Sequence, residues 1–247
     1  MPHPIHSPSP ETIKYQYHQL VHKRIILISI ITLAMLSSLF LDIILGSSNL
    51  PVSELWHALA HPFSRDTSVH VIVWEIRLPY ALMALLVGMT LGLAGAEMQT
   101  ILNNPLASPF TLGVSSAAAF GAALAIVLGI GIPGISAAWF VPANAFIFAL
   151  LSSLLLDSMS RWLRIASSGM ILLGIALVFT FNALVAIMQF IADEDTLQGL
   201  VFWTMGSLAR ASWNRLGILS GVFIIVFYGH FPAHGNLRHY AWEKKER

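Results

Sequence analysis

The chain has no cysteine, and only 10% of its 247 residues are charged. The first absence excludes disulfides, Cys-ligated zinc or iron–sulfur sites and thiol nucleophiles, and leaves the redox compartment unread. The second excludes an ordinary soluble domain, in which roughly 25% of residues carry charge. With 56% hydrophobic residues and a mean hydropathy of +0.74, disordered and collagenous chains are excluded as well. A net charge of +1 names no partner, nucleic acid included. Catalytic signatures are also missing: there is no H-E-x-x-H, no P-loop, no Gly-rich dinucleotide turn and no aspartate pair on facing spans. All ten histidines fall in tails, loops or a span end, and His3, His6, His18 and His22 on a Pro-rich segment read as a solvated tail. No catalytic residue, metal site or cofactor is expected.

What is present is a set of long charge-free stretches. A helix needs about 20 apolar residues to cross roughly 30 Å of hydrocarbon. Measured against that length, the sequence predicts an all-α, polytopic membrane protein with about six spans, near residues 25–41, 78–96, 111–128, 142–156, 165–192 and 216–231. Pro79 suits the first turn of the second span, where a missing N–H is harmless. Gly129, Gly131, Pro133 and Gly134 break the longest stretch, and Pro232 closes the last span. Six spans put both termini on one side. If that side is cytoplasmic, the outer segments hold only Arg65, Arg77, Arg210 and Arg215, while the inner ones hold every other Lys and Arg. Both termini are therefore expected inside. A cleaved signal peptide is not expected, because the polar stretch before the first span is long and no A-x-A site follows it.

Three groups of residues within or beside the spans stand out. Gly88, Gly92 and Gly95 line the second span, where small residues at this spacing let two helices approach closely. Glu97 and Gln99 end that span and read as interface residues. The run Asn103-Asn104-Pro105-Leu106-Ala107-Ser108-Pro109 places two prolines between two apolar helices with no Lys or Arg nearby. Proline pushes the preceding residue away from the α region, so Asn104 and Ser108 should be extended or turn-like. Unpaired backbone at membrane depth is tolerated only inside protein or beside a watery cavity. Either a gate-like re-entrant turn or a tight surface loop fits. Asp193, Glu194 and Asp195 follow the fifth span, as a mouth or simply as solvated acids.

Arg77-Leu78-Pro79, then Gly88, Gly92, Gly95 and Gln99, Asn104-Pro105-Leu106-Ala107-x-Pro109, Leu112-Gly113-Val114-Ser115-Ser116, Gly174-Ile175-Ala176 and Trp203-Thr204-Met205-Gly206-Ser207-Leu208 resemble the FecCD-type ABC importer permeases. The resemblance runs from about residue 20 to about residue 225. It implies the first part of a ten-helix permease in the bacterial inner membrane, surrounded by lipid and carrying iron-siderophore, heme or vitamin B12 complexes. The implied partners are a second permease copy or a paralogue, cytoplasmic ATP-binding subunits and a periplasmic substrate-binding protein. ATP hydrolysis belongs to those partners, so the permease itself is no enzyme. Iron-siderophore or a similar metal chelate is the expected cargo.

The resemblance also assigns roles residue by residue. Arg77 would meet an acid of the binding protein, with Tyr80 standing where the family commonly has a second Arg. Gln99, Asn104, Pro105 and Leu106 would lie at the cytoplasmic gate and translocation path. Asp193 and Glu194 would lie near the periplasmic gate, and Gly88, Gly92 and Gly95 in helix packing. In domain terms, 1–24 would be a cytoplasmic polar tail, 25–231 the partial permease domain and 232–247 a basic cytoplasmic tail. The family continues past this point with an ATPase-docking segment and four more helices. The sequence therefore also fits a truncated, transport-incompetent half-permease that acts only as an assembly partner.

Overall fold

A computed structural model describes residues 10–44, 51–61, 68–163 and 166–243, with side chains described for residues 14–229 of these ranges. Of the residues used for the expectations above, His3, His6, Arg65, Arg164, Lys244, Lys245 and Arg247 lie outside the described residues. Every described element is helical. In chain order these are α1 (Pro10–Ile44), α2 (Val52–Ala60), α3 (Ser68–Val71), a π-helical segment (Ile72–Arg77), α4 (Leu78–Leu102), α5 (Val114–Val127), α6 (Ala137–Leu163), α7 (Ser167–Ile191), α8 (Glu194–Met205) and α9 (Trp213–Glu243).

Four helical runs are long and apolar enough to cross a membrane: Lys14–Ile44, Ser68–Leu102, Ala137–Leu163 and Ser167–Ile191. Val114–Val127 and Trp213–Gly229 are shorter apolar helices. The six expected spans all fall on these helices, but several limits move. The first helix begins at Pro10, not at residue 25. Proline is harmless in a first turn, and Glu11, Lys14 and Gln16 continue a helix readily, so part of the expected polar tail is helical. The sixth does not stop at Pro232, because α9 runs through it to Glu243. A proline removes one intrahelical bond without necessarily ending the helix. Pro142 likewise sits inside α6, past its start at Ala137. Thr111 to Gly113, assigned to the third span, are turn residues that precede α5.

The chain divides into two compact units. The first contains residues 1–85 and 211–216. Its core is Leu55, Ala58 and Val73, with Ile43, Leu59, Val69 and Trp74 against them. Helix α2 is amphipathic, with Leu55 and Ala58 turned inward and Val52 and Trp56 exposed. Pro79 explains the π-helical segment. The Leu78 N–H reaches back five residues to the Val73 carbonyl, so the Trp74 carbonyl falls to Pro79, which has no N–H. The Trp213 indole N–H donates to that open carbonyl at 2.9 Å, while the Trp74 indole N–H donates to the Ala58 carbonyl at 2.9 Å. Pro79 is thus not at a helix start as expected but within a continuous helical run whose register it shifts.

The second unit contains residues 86–210 and 217–247. Helix α5 is its centre, packed against α6, α7 and α8. Alanines and a glycine permit this: Ala117, Ala122, Ala123 and Gly121 are buried. A Cβ on Gly121 would lie 2.7 Å from the Asn144 carbonyl, so only glycine lets α6 come this close. The Asn144 side chain, 5% exposed, then brackets the contact. Its Nδ2 donates to the Gly121 carbonyl at 2.7 Å and to the Ile130 carbonyl at 3.1 Å. Large apolar side chains such as Phe146, Leu172, Phe179 and Phe190 face outward, as expected of helices solvated by lipid.

Candidate functional site

The turn between α4 and α5 satisfies most of its backbone N–H groups internally. Asn103 takes a positive φ of 47°, a conformation asparagine tolerates, and reverses the chain after α4. The Asn104 N–H then donates to the Gln99 carbonyl at 3.1 Å. The Asn104 side-chain oxygen accepts the Leu106 N–H at 2.8 Å, and its carbonyl accepts the Ala107 N–H at 3.2 Å. This is an Asx turn, which asparagine before proline favours. Next, the Ser108 N–H donates to the Thr111 hydroxyl at 2.9 Å, and that hydroxyl donates to the Ser108 carbonyl at 2.9 Å. The Leu112 N–H closes on Ser108 and the Gly113 N–H on Phe110, both at 3.2 Å. Most of the turn's backbone donors are therefore met within the turn, which lets the chain reverse sharply in apolar surroundings.

Two glycines fasten this turn to α7. Gly113 caps α5 with φ 79°, a left-handed conformation that a side chain would strain. A Cβ there would lie 3.0 Å from the Leu177 Cβ. Across the contact, a Cβ on Gly174 would lie 2.8 Å from the Leu112 Cα and 3.0 Å from the Thr111 carbonyl. Two motifs separated in sequence by the whole of α5 and α6, Leu112-Gly113 and Gly174-Ile175-Ala176, thus form one joint. Leu102, Ala107, Leu112 and Leu156 seal it from behind. In front, Asn104, Leu106, Phe110, Thr111, Ile171 and Phe179 border an apolar cleft of about 510 Å³. Leu106 is 80% exposed, and Phe110 is exposed beside it. Asn104 and Leu106 line the cleft, whereas Gln99 joins the turn only through its carbonyl and leaves its side chain exposed.

The remaining candidates lie elsewhere. Arg77 is buried at 8% exposure, and its Nη1 donates to the Ile43 carbonyl at 2.5 Å and the Ile44 carbonyl at 3.5 Å. A cation there satisfies carbonyls that α1 leaves open and complements the negative end of its dipole. Any docking contact by Arg77 must use its other donors, of which a guanidinium has several. Tyr80 lines a cleft between α1 and α4. A Cβ added at Gly88, Gly92 or Gly95 would meet nothing within 4 Å, so these glycines have no close neighbour among the described residues.

Asp193 is the N-cap of α8. Its carboxylate accepts the Thr196 N–H at 2.8 Å and the Thr196 hydroxyl at 2.9 Å. The Thr196 backbone N–H, and then its hydroxyl, hold the Asp193 carboxyl below its ordinary pKa. Glu194 and Asp195 complete an acidic first turn, where the helix dipole favours negative charge. At the other end of α8, Gly206 with φ 78° turns the chain within the Trp203–Leu208 motif. Sequence reasoning missed Asn144 and the Trp74–Trp213 pair. An asparagine in an apolar run was a usable signal for the first, and a proline well inside a helical run, Pro79, would have been one for the second.

Comparison with known proteins agrees with this arrangement. The FecCD transport family matches residues 28–239. The hemin transport system permease protein HmuU of Yersinia pestis is 34% identical over 78% of this chain and 58% of its own length. The vitamin B12 import system permease protein BtuC of Vibrio cholerae is 38% identical over 66% of this chain and 48% of its own. A solved structure described as an inward-facing conformation of a metal-chelate type ABC transporter superposes with a TM-score of 0.54 at 30% identity, over 78% of this chain and 58% of that one. The chain thus spans about half the length of the curated relatives it matches. With most of its described helices and all of the turn and its α7 joint inside the matched region, this chain belongs to the FecCD transport family.

Proposed function

We propose that the chain is a transmembrane permease subunit of an ABC importer that moves an iron-siderophore or a similar metal chelate across the inner membrane. It works with a second permease copy or a paralogue, cytoplasmic ATP-binding subunits and a periplasmic substrate-binding protein, and both its termini are cytoplasmic. The observation that carries this reading is the preformed Asn104–Leu106 turn. The turn satisfies most of its backbone donors internally, is fixed to α7 at Gly174, and presents Leu106 and Phe110 over an apolar cleft. Such a turn can act as a gate, because a rigid loop with an exposed apolar tip closes against a matching surface and leaves it as a body. Among the described residues no cluster of His, Asp or Glu is placed to hold a metal ion, which suits a permease that passes the complex without competing for its metal. Relatives named for hemin and vitamin B12 support a large metal complex as cargo.

The test is uptake of a labelled ferric siderophore by membranes containing this chain, its ATP-binding subunits and its binding protein. ATP-dependent accumulation that disappears without the ATP-binding subunits is expected. Absence of ATP-dependent uptake of ferric siderophore, hemin and cobalamin alike, with the chain present in the membrane, would overturn the proposal.

A further inference from the structure

The cleft between α1 and the first turns of α4 is graded in polarity along its length. It holds about 360 Å³ and is lined by Met35, Ser38, Leu39 and Asp42 from α1 and by Tyr80, Ala81, Ala84 and Leu85 from α4. Arg77 binds the Ile43 carbonyl, which sets the end of α1 beside the start of α4. Asp42 and Tyr80 therefore line the same end of the cleft, the one nearest Arg77. Met35 and Leu85 stand at the opposite end. At 1.5 Å per residue the α1 wall from Asp42 to Met35 is about 10 Å long. Ser38 lies one turn below Asp42. Along the cleft the chemistry runs from carboxylate and phenol, through hydroxyl, to aliphatic surface.

Asp42 has no ion-pair partner among the described residues, although it sits at the end of a membrane helix. A carboxylate lining a cleft between two apolar helices is a site for a cation that can donate hydrogen bonds. We propose that the cleft binds one phospholipid with a primary-ammonium headgroup, of the phosphatidylethanolamine class. The ammonium pairs with Asp42, the Tyr80 hydroxyl donates to the phosphate, Ser38 faces the ester region, and the first acyl carbons lie along Met35, Leu39, Ala84 and Leu85. Charge complementarity selects this occupant. A choline headgroup has no N–H to donate, and a phosphatidylglycerol headgroup brings only negative charge to the carboxylate. The inference is independent of the cargo and of the gate.

The full chain is placed in nanodiscs with equal parts phosphatidylethanolamine, phosphatidylcholine and phosphatidylglycerol, and retained lipid is read by native mass spectrometry. The wild type should retain phosphatidylethanolamine over phosphatidylcholine by about tenfold, the scale of one hydrogen bond to a charged group. Asp42→Asn should bring the ratio to about one, Asp42→Glu should restore it, and Ala84→Leu should lower retention by filling the cleft while Asp42 stays intact. Equal retention of the two lipids by the wild type would overturn the proposal, as would an unchanged preference in Asp42→Asn. Retention of no lipid, with cross-links from Asp42→Cys to another protein helix, would assign the cleft to a protein partner and overturn it too.

Discussion

A methyl group placed at Gly174 tests whether the Asn104–Leu106 turn is held by its contact with α7. The same substitution at Gly88 supplies the reference. Both glycines lie inside long apolar helices, where alanine gains roughly 0.5–1 kcal/mol over glycine from backbone entropy. At Gly88 no described atom is within 4 Å of the new methyl, so that gain should stand. At Gly174 the methyl would sit 2.8 Å from the Leu112 Cα and 3.0 Å from the Thr111 carbonyl. Both neighbours are backbone, so relief requires the whole turn to shift. Overpacking of this kind costs about 1–3 kcal/mol. Subtracting the helix gain leaves Gly174→Ala destabilised by roughly 0–2.5 kcal/mol, and separated from Gly88→Ala by about 1–3 kcal/mol. The assay is reversible unfolding of the full chain in mixed micelles, with hydrogen exchange at Leu106 and Ala107 as a local readout. Faster exchange at those amides in Gly174→Ala alone is expected. Equal stability of the two variants, with unchanged exchange in the turn, would refute the joint.

Other substitutions separate neighbouring polar groups by what they touch. Asn144→Ala removes two bonds that bracket α5 and α6 and should destabilise by about 1–3 kcal/mol, whereas Ser152→Ala should be close to neutral, because the Ser152 hydroxyl is buried with no partner among the described residues. Thermal unfolding in detergent that ranks the two in reverse would contradict this account. Trp213→Phe keeps the ring contact with Trp74 but strands the Trp74 carbonyl, and should speed hydrogen exchange along Ile72–Arg77, while an unchanged rate there would show that Pro79 is compensated in another way. At α8, the Asp193 carboxyl is held below its ordinary 3.8 by the Thr196 N–H. A lowered folded-state value contributes stability that is full above the ordinary value and is lost as pH falls through the folded one. The Thr196 amide should thus lose protection only below about pH 4, and Asp193→Asn, which retains an N-cap acceptor, should remove that dependence. Persistence of the same pH profile in Asp193→Asn would assign it to another group.

The helices were legible because hydrocarbon imposes one strong rule, long apolar runs with internally satisfied backbone, and the charge gaps display it directly. Their ends were less so. Pro142 and Pro232 both read as boundaries, yet neither is one, because proline's effect depends on what takes the carbonyl it leaves open. For Pro79 that carbonyl belongs to Trp74 and its partner is Trp213, 139 residues further along the chain, and no local pattern announces it. The Asn104–Leu106 turn was legible down to the atypical conformation near Asn104, since proline acts on its immediate neighbour. Its attachment to α7 was not, because a glycine required for close approach looks the same in sequence as one along a free face. Gly174 and Gly88 show this: one meets backbone at once and the other meets nothing described. Arg77 carries the same lesson, since its burial and its capping of α1 are set by packing in the first unit.

The central claim is that the Asn104–Leu106 turn moves as a gate during transport, and the absence of cysteine makes it directly measurable. A single Leu106→Cys chain, assembled with its ATP-binding subunits and binding protein, is treated with a membrane-impermeant thiol reagent in the absence of nucleotide and again during ATP turnover. The labelling rate at Leu106→Cys should change severalfold between the two conditions. Identical Leu106→Cys labelling in both conditions, in a complex that still takes up chelate, would contradict the gate.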